Sequence, residues 1–293
     1  MNTLRTGILM AALTGLFVAV GWGLGGTMGM LIALAVAAVS NAMAYWHSDK
    51  MVLALYGATP APAGGELVHL VARLAELAQL PAPQVYVCDS PQPNAFATGR
   101  DPRHAALCVT SGLLGLVSRE ELAGVVAHEL SHIKHRDTLI MTLVATLAGA
   151  VSMLANLALF AGLFGTVRGE RGSSAGGPGA ILIALLAPIA ALLVQMAISR
   201  SREFEADREA AALLGRPHWL ASALAHISAG AQEISNPVAE RHPATAHLFI
   251  VMPLHAGALS NLFSSHPSTA ERIARLTRMA AGRSASHASS PWR

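Results

Sequence analysis

The sequence predicts a mainly α protein in which four transmembrane helices carry an α+β domain on one face of the membrane. Three observations predict it. Long uncharged runs alternate with stretches of mixed composition, short β-type segments gather in one of those stretches, and the strongest helix signals lie where the two compositions meet. Of 293 residues, 53% are hydrophobic and 13% are charged, about half of the roughly 25% that soluble domains carry. This composition excludes disorder and a highly charged nucleic-acid binder. The formal net charge of +3 is too mild to argue for DNA or RNA, so no nucleic-acid partner is expected. Cys88 and Cys108 make no disulfide framework and read as buried small hydrophobes.

The first element is a hairpin over residues 6–46. No charged residue occurs from Thr6 to Trp46, and that length of helix reaches about 60 Å, two crossings of a hydrocarbon core of about 30 Å. The glycine-rich Gly21-Trp-Gly-Leu-Gly-Gly26 predicts the turn between the two helices. A cleaved signal peptide does not fit, because its apolar core runs about 7–15 residues. A second hairpin is predicted over 138–198, from the uncharged runs Thr138–Val167 and Ala180–Ile198. Pro188 inside the latter is a kink that membrane helices tolerate.

Orientation follows from the basic residues. Arg5, Lys50, Lys134, Arg136, Arg200 and Arg202 flank the spans on one side, and Arg168 and Arg171 on the other. The positive-inside rule makes the first side cytoplasmic. Residues 47–137 and 199–280 then share that face as two parts of one domain, and 281–293 read as a disordered tail. The two portions, tail included, hold 17 of the 20 Lys and Arg and 16 of the 17 acids, so the charge is segregated from the spans.

Within the first part, Gln84–Cys88, Asn94–Gly99 and Ala105–Thr110 read as short strands. Ser118-Arg-Glu-Glu121 is a capping box that opens a helix. That helix carries His128-Glu-Leu-Ser-His132. Histidines at i and i+4 share one helical face, so two imidazoles can converge on one metal ion. Glu129 is turned about 100° from His128, beside the metal, where it suits a general base.

A catalytic zinc takes a third protein ligand and keeps a position open. The metzincin spacing would put that ligand at Thr138, which excludes the class. In the second part of the domain, Glu203, Ala206, Asp207, Ala210, Leu213 and Leu214 form one helical stripe, while Arg202, Glu205, Arg208 and Glu209 form the solvated face. A carboxylate on a buried stripe is costly unless it is paired or metal-bound. Glu203 is therefore the expected third ligand, and Asp207, one turn on, the acceptor that orients a ligating histidine. Both ligand helices read as direct extensions of membrane helices, which places the metal within about 10 Å of the cytoplasmic membrane surface.

These motifs resemble a known family. The HELSH segment between membrane hairpins, the downstream Glu203-Phe-Glu-Ala-Asp207, the upstream Asn94-Ala-Phe-Ala-Thr-Gly99 and the late Ser265-His-Pro-Ser268 are similar to the HtpX membrane zinc metalloproteases, distant relatives of the CAAX prenyl proteases. The resemblance runs from about residue 5 to 280, with the motifs in the same order. It implies a gluzincin-like zinc metalloprotease domain in which His128, His132 and Glu203 bind one Zn2+ and Glu129 is catalytic. It also implies misfolded or damaged proteins, membrane proteins above all, as substrates, and a multi-pass protein of the bacterial inner membrane with a cytoplasmic active site.

Two further expectations complete the site. Asn94, Ala95 and Phe96 are assigned to or beside an edge strand that pairs with extended substrate. His266, just before Pro267 and a helix from Thr269 to Met279, is placed to donate to the oxyanion of the tetrahedral intermediate. The remaining histidines, among them His135, His242, His247 and His255, read as surface or lid residues. The competing functional readings are a specific CAAX-type processing protease and a zinc-stabilised membrane scaffold or chaperone without turnover.

Overall fold

The computed structural model describes residues 2–145, 200–254 and 267–288. His266 and the predicted second hairpin from residue 146 to 198 lie outside the described residues. Helix α1 (Asn2–Leu55) is two helices joined at Gly25–Gly26. Gly26 has φ +57, a left-handed setting that costs glycine little. The chain doubles back there: Asn41 Nδ2 donates to Thr14 Oγ1 at 2.9 Å across the pair. The predicted turn thus narrows to two residues. Gly21 serves a different purpose, since a Cβ on it would lie 2.5 Å from the Gly29 carbonyl oxygen of the facing arm. Among the described residues, Gly25–Leu55 is the one helix long and apolar enough to cross a membrane. It leaves Leu31, Ile32, Val36, Val39 and Met43 exposed.

A four-stranded sheet follows, of β1 (Thr59–Pro60), β2 (Gln84–Cys88), β3 (Ala95–Gly99) and β4 (Ala105–Thr110), in the order β1-β2-β4-β3. β2 runs parallel to β4, whereas β3 pairs antiparallel with β4, with Ala95 opposite Val109 and Ala97 opposite Leu107. Thr110 N–H donates to Asn94 O at 3.0 Å. Bonds in an antiparallel ladder alternate, so β3 uses its even-numbered residues toward β4. The backbone groups of Ala95 and Ala97 therefore point outward from the sheet edge. Asp101 closes the β3–β4 turn by accepting the N–H groups of Arg103 and His104.

Helices α2 (Glu66–Leu77), α3 (Ser111–Leu116) and α4 (Arg119–His135) follow the strands in space, then α5 (Arg200–Leu214), α6 (Pro217–Glu233), α7 (Pro237–Arg241) and α8 (Thr269–Ala288). The capping box that opens α4 is formed: Ser118 Oγ accepts Glu121 N–H, and the Glu121 carboxylate accepts Ser118 N–H. α4 is the central element, buried from Ala123 to Ile133 and in contact with β3, α2, α5 and α6. A helix packed on most sides shows no single apolar stripe, which is why its sequence reads as mixed. A second core joins α1 to the sheet. There Tyr56, Phe96 and Phe249 stack with ring centroids 5.1–5.6 Å apart, and Cys88 and Cys108 are buried in the same cluster.

Three expectations need correction here. α4 does not run on as a membrane helix: it ends at His135, Arg136 turns left-handed at φ +57, and a separate helical stretch occupies 137–145. Residues 140–145 are buried against the domain, with Thr142 hydrogen-bonded to Thr98 of β3 at 2.9 Å. His247 is likewise no surface residue, being fully buried with Nε2 2.9 Å from Met141 O. Finally, α8 continues to Ala288, past the boundary drawn at residue 280.

Candidate metal centre

α4 presents His128 and His132 one turn apart, with their rings edge to face and centroids 4.8 Å apart. Their Nε2 atoms stand 3.2 Å from each other. α5 brings in Glu203, whose Oε1 is 3.5 Å from His132 Nε2 and whose Oε2 is 3.6 Å from His128 Nε2. All three side chains are buried. Three tetrahedral ligands about 2.0–2.1 Å from a zinc ion lie about 3.3–3.4 Å from one another. The two Nε2 atoms stand at that spacing, and one Glu203 oxygen completes the set with all three ligand atoms within 4.8 Å of one another, so these residues fit zinc in donor type and in convergence on one point.

Each histidine is held by a carboxylate on its other nitrogen. Asp207 Oδ1 lies 3.0 Å from His128 Nδ1, and Asp137 Oδ2 lies 3.2 Å from His132 Nδ1. With Nδ1 turned to an acid, Nε2 is the nitrogen each ring presents toward Glu203, the one a metal would take in place of a proton. The two acids are anchored in turn. Arg272 from α8 donates to Asp207 through Nε at 2.9 Å and Nη2 at 2.7 Å, and Arg202 donates to Asp137 at 3.1 Å. Four carboxylates (Glu129, Asp137, Glu203 and Asp207) thus face two guanidiniums. The surplus of negative charge is what a divalent cation neutralises.

Burial and neighbours set the protonation states. Desolvation, with Arg272 nearby, pushes His128 down to about 4. Desolvation also acts on His132, but Glu203 and Asp137 outweigh it and raise it to about 9. Burial lifts Glu129 from the usual carboxylate range to about 7, against the pull of His132. Asp207 is held below its ordinary value, because Arg272 overcomes the cost of its burial. Glu129 is 2% exposed, and its carboxylate lies beside the outward N–H of Ala97 on β3. The general-base candidate and the sheet edge are therefore neighbours.

The spacing argument brings His128, His132, Glu203, Glu129 and Asp207 into one cluster. Asn94 and Ala95 lie at the same edge, where Asn94 Nδ2 donates to Val251 O at 2.8 Å and Ala95 O accepts Ile250 N–H at 3.1 Å. Phe96 turns the other way, into the aromatic core. Glu209, read as solvated, ties α5 to α4 by accepting from Ser131 at 3.0 Å and facing His135 Nε2 at 2.9 Å. Two residues of the cluster escape sequence reasoning. Asp137 follows a single left-handed residue, Arg136, that breaks the helix with no local signal. Arg272 leaves a trace, since it occupies a position one turn before Leu276 on the buried side of α8, where a cation requires a buried acid.

Comparison with known proteins follows this geometry. The model of the family described as Peptidase family M48 matches residues 63–280. A Protease HtpX homolog from Acidiphilium cryptum (strain JF-5) is 57% identical over 281 residues, covering 95% of this chain and 97% of that protein. Among solved structures, the crystal structure of S. mikatae Ste24p aligns with a TM-score of 0.48 at 20% identity. That alignment takes in 94% of this chain and 65% of the other, just under two thirds of its length.

Proposed function

The chain belongs to peptidase family M48 and is an HtpX-like protease by sequence, and from that premise we propose a membrane-anchored zinc endopeptidase acting on misfolded or damaged proteins. The observation that carries the reading is the triangle of His128, His132 and Glu203 with Glu129 beside it. When bound there, zinc would supply Lewis acidity and lower the pKa of water to about 7. The chain's own residues do the rest. Asp207 and Asp137 keep the two imidazoles in the ligating tautomer. Glu129 takes a proton from the attacking water at its carboxylate and returns it to the departing amine. Extended substrate backbone is offered the outward groups of β3.

The four-helix topology, with both hairpins in the bacterial inner membrane and the site on the cytoplasmic face, belongs to the same proposal. The apolar hairpin of α1 supports anchoring, and Lys50, Lys134, Arg136, Arg200 and Arg202 support the orientation. Membrane proteins are then the nearest substrates.

The test pairs metal analysis with proteolysis of unfolded β-casein by the full chain in detergent. Wild type is expected to carry one zinc per chain and to cleave in a chelator-sensitive manner. Glu129→Gln is expected to keep the zinc and lose cleavage, and full activity in that variant overturns the mechanism. Stoichiometric zinc with no cleavage by wild type would favour the scaffold reading. Cleavage confined to a prenylated C-terminal motif would favour the processing protease.

A further inference from the structure

The outward edge of β3 is already in use. Ala95 and Ala97 direct their backbone groups away from β4. Ala97 N–H lies beside the Glu129 carboxylate, Ala95 N–H donates to Asn94 Oδ1 at 3.1 Å, and Ala95 O accepts the N–H of Ile250 at 3.1 Å. Asn94 then grips the next peptide unit at both ends: Nδ2 donates to Val251 O at 2.8 Å, and Oδ1 accepts Val251 N–H at 3.3 Å. Arg272 Nη1 donates to Ile250 O at 2.7 Å, and the same nitrogen stands 3.5 Å from Glu203 Oε2. Ile250 sits opposite Ala95 and Val251 beside Asn94, so the segment runs antiparallel to β3, one residue away from a metal ligand.

We infer that Phe249–Val251 is an internal occupant of the substrate edge, an autoinhibitory segment that leaves β3 before an extended polypeptide lies there. The inference rests on the protease reading above. Every polar contact to the segment is made to backbone atoms, the kind of recognition that accepts any extended chain. Among the described residues, one backbone–backbone bond ties it to β3, Phe249 N–H donates to Ala246 O of the preceding turn at 3.4 Å, and the other polar contacts come from Asn94 and Arg272. It is not a strand of the sheet. Its hold is completed by apolar side chains: Phe249, Ile250 and Val251 are all buried, and Phe249 packs on Phe96 and Tyr56. A competing chain regains those contacts only if it brings apolar residues of its own. The occupant therefore selects extended apolar segments, which unfolded proteins expose and folded ones hide.

A cross-link tests this. In Ala95→Cys/Ile250→Cys the cysteines replace the hydrogen-bonded pair of the edge, and oxidation to the disulfide, verified by thiol titration, pins the segment in place. Cleavage of β-casein by the oxidised variant is expected to be at least tenfold slower than by the same variant reduced; wild type treated with the same oxidant controls for Cys88 and Cys108. Equal cleavage in both redox states overturns the inference and leaves the protease reading standing. No cleavage by wild type counts against the protease reading instead, and a variant inactive in both states beside an active wild type passes the decision to the exchange measurement. Hydrogen exchange then decides the inference in Glu129→Gln, which needs no turnover. Saturating β-casein is expected to accelerate exchange of the Ile250 amide at least tenfold, and unchanged or slower exchange there overturns the inference.

Discussion

Asp207 holds the imidazole of His128 by its Nδ1 at 3.0 Å, with both side chains buried. That contact leaves Nε2 as the nitrogen able to bind a metal. Asp207→Asn keeps the shape but can present its amide N–H₂ to Nδ1, which stabilises the wrong tautomer. Loss of such an orienting acid typically costs 10–100-fold in metal affinity. The expected result is zinc binding weaker by about that factor, measured by competition with a chromophoric chelator. An unchanged affinity would show that His128 is oriented by the packing of α4 alone.

Arg272 is the counterpart of that acid. It is 1% exposed and donates twice to Asp207, so removing it strands a buried carboxylate. Breaking a buried pair by deleting one partner costs about 3–5 kcal/mol. Arg272→Met is expected to lower the thermal midpoint of the detergent-solubilised protein, with the larger loss in the metal-free form. The double variant Arg272→Met/Asp207→Leu removes both charges and is expected to recover part of the loss. A double variant less stable than either single one would contradict the pairing argument.

The clustering of His128, His132 and Glu203 was legible because helical periodicity converts spacing into direction. His128 and His132 at i and i+4 must share a face, and Glu203 and Asp207 stand out as acids on an otherwise apolar stripe. The strands Gln84–Cys88 and Ala105–Thr110 were legible from β-branched runs between turn residues. What stayed hidden depends on contacts distant in sequence. Asp137 reaches His132 across the left-handed break at Arg136, and His247 is buried where its Nε2 meets Met141 O. The occupancy of β3 by Ile250 joins positions more than 150 residues apart, and no local pattern encodes it.

Helix packing around α4 gives a sharper test of the fold. Gly124 lies against α6 so closely that a Cβ there would sit 2.8 Å from Leu220 N and 2.9 Å from Leu220 Cα. These are backbone atoms, so the helices must separate to admit a methyl group. Gly124→Ala gains about 1 kcal/mol of helix propensity, but overpacking of this kind costs about 1–3 kcal/mol. A net destabilisation is expected, with weaker zinc retention because α4 carries both histidines. Thermal unfolding with and without chelator measures both effects, and a rise in stability would mean that the helices give way without strain.

The start of α4 supplies a pH-dependent contribution. Burial alone would raise Glu121, but hydrogen bonds from Ser222 and from Ser118 N–H, together with His226 at 3.0 Å, outweigh it and hold the carboxyl below its ordinary value. A group whose folded-state pKa is depressed adds stability that is present above the unfolded value, about 4.3 for Glu, and is lost as pH falls through the folded value. Wild type is therefore expected to lose stability on acidification below about pH 4.5. Glu121→Gln, which cannot titrate and keeps a side-chain oxygen for Ser118 N–H, is expected to show a flatter profile there and lower stability at pH 7. Denaturant midpoints from pH 3.5 to 7 measure the difference, and parallel profiles for the two proteins would assign the acid sensitivity to other carboxylates.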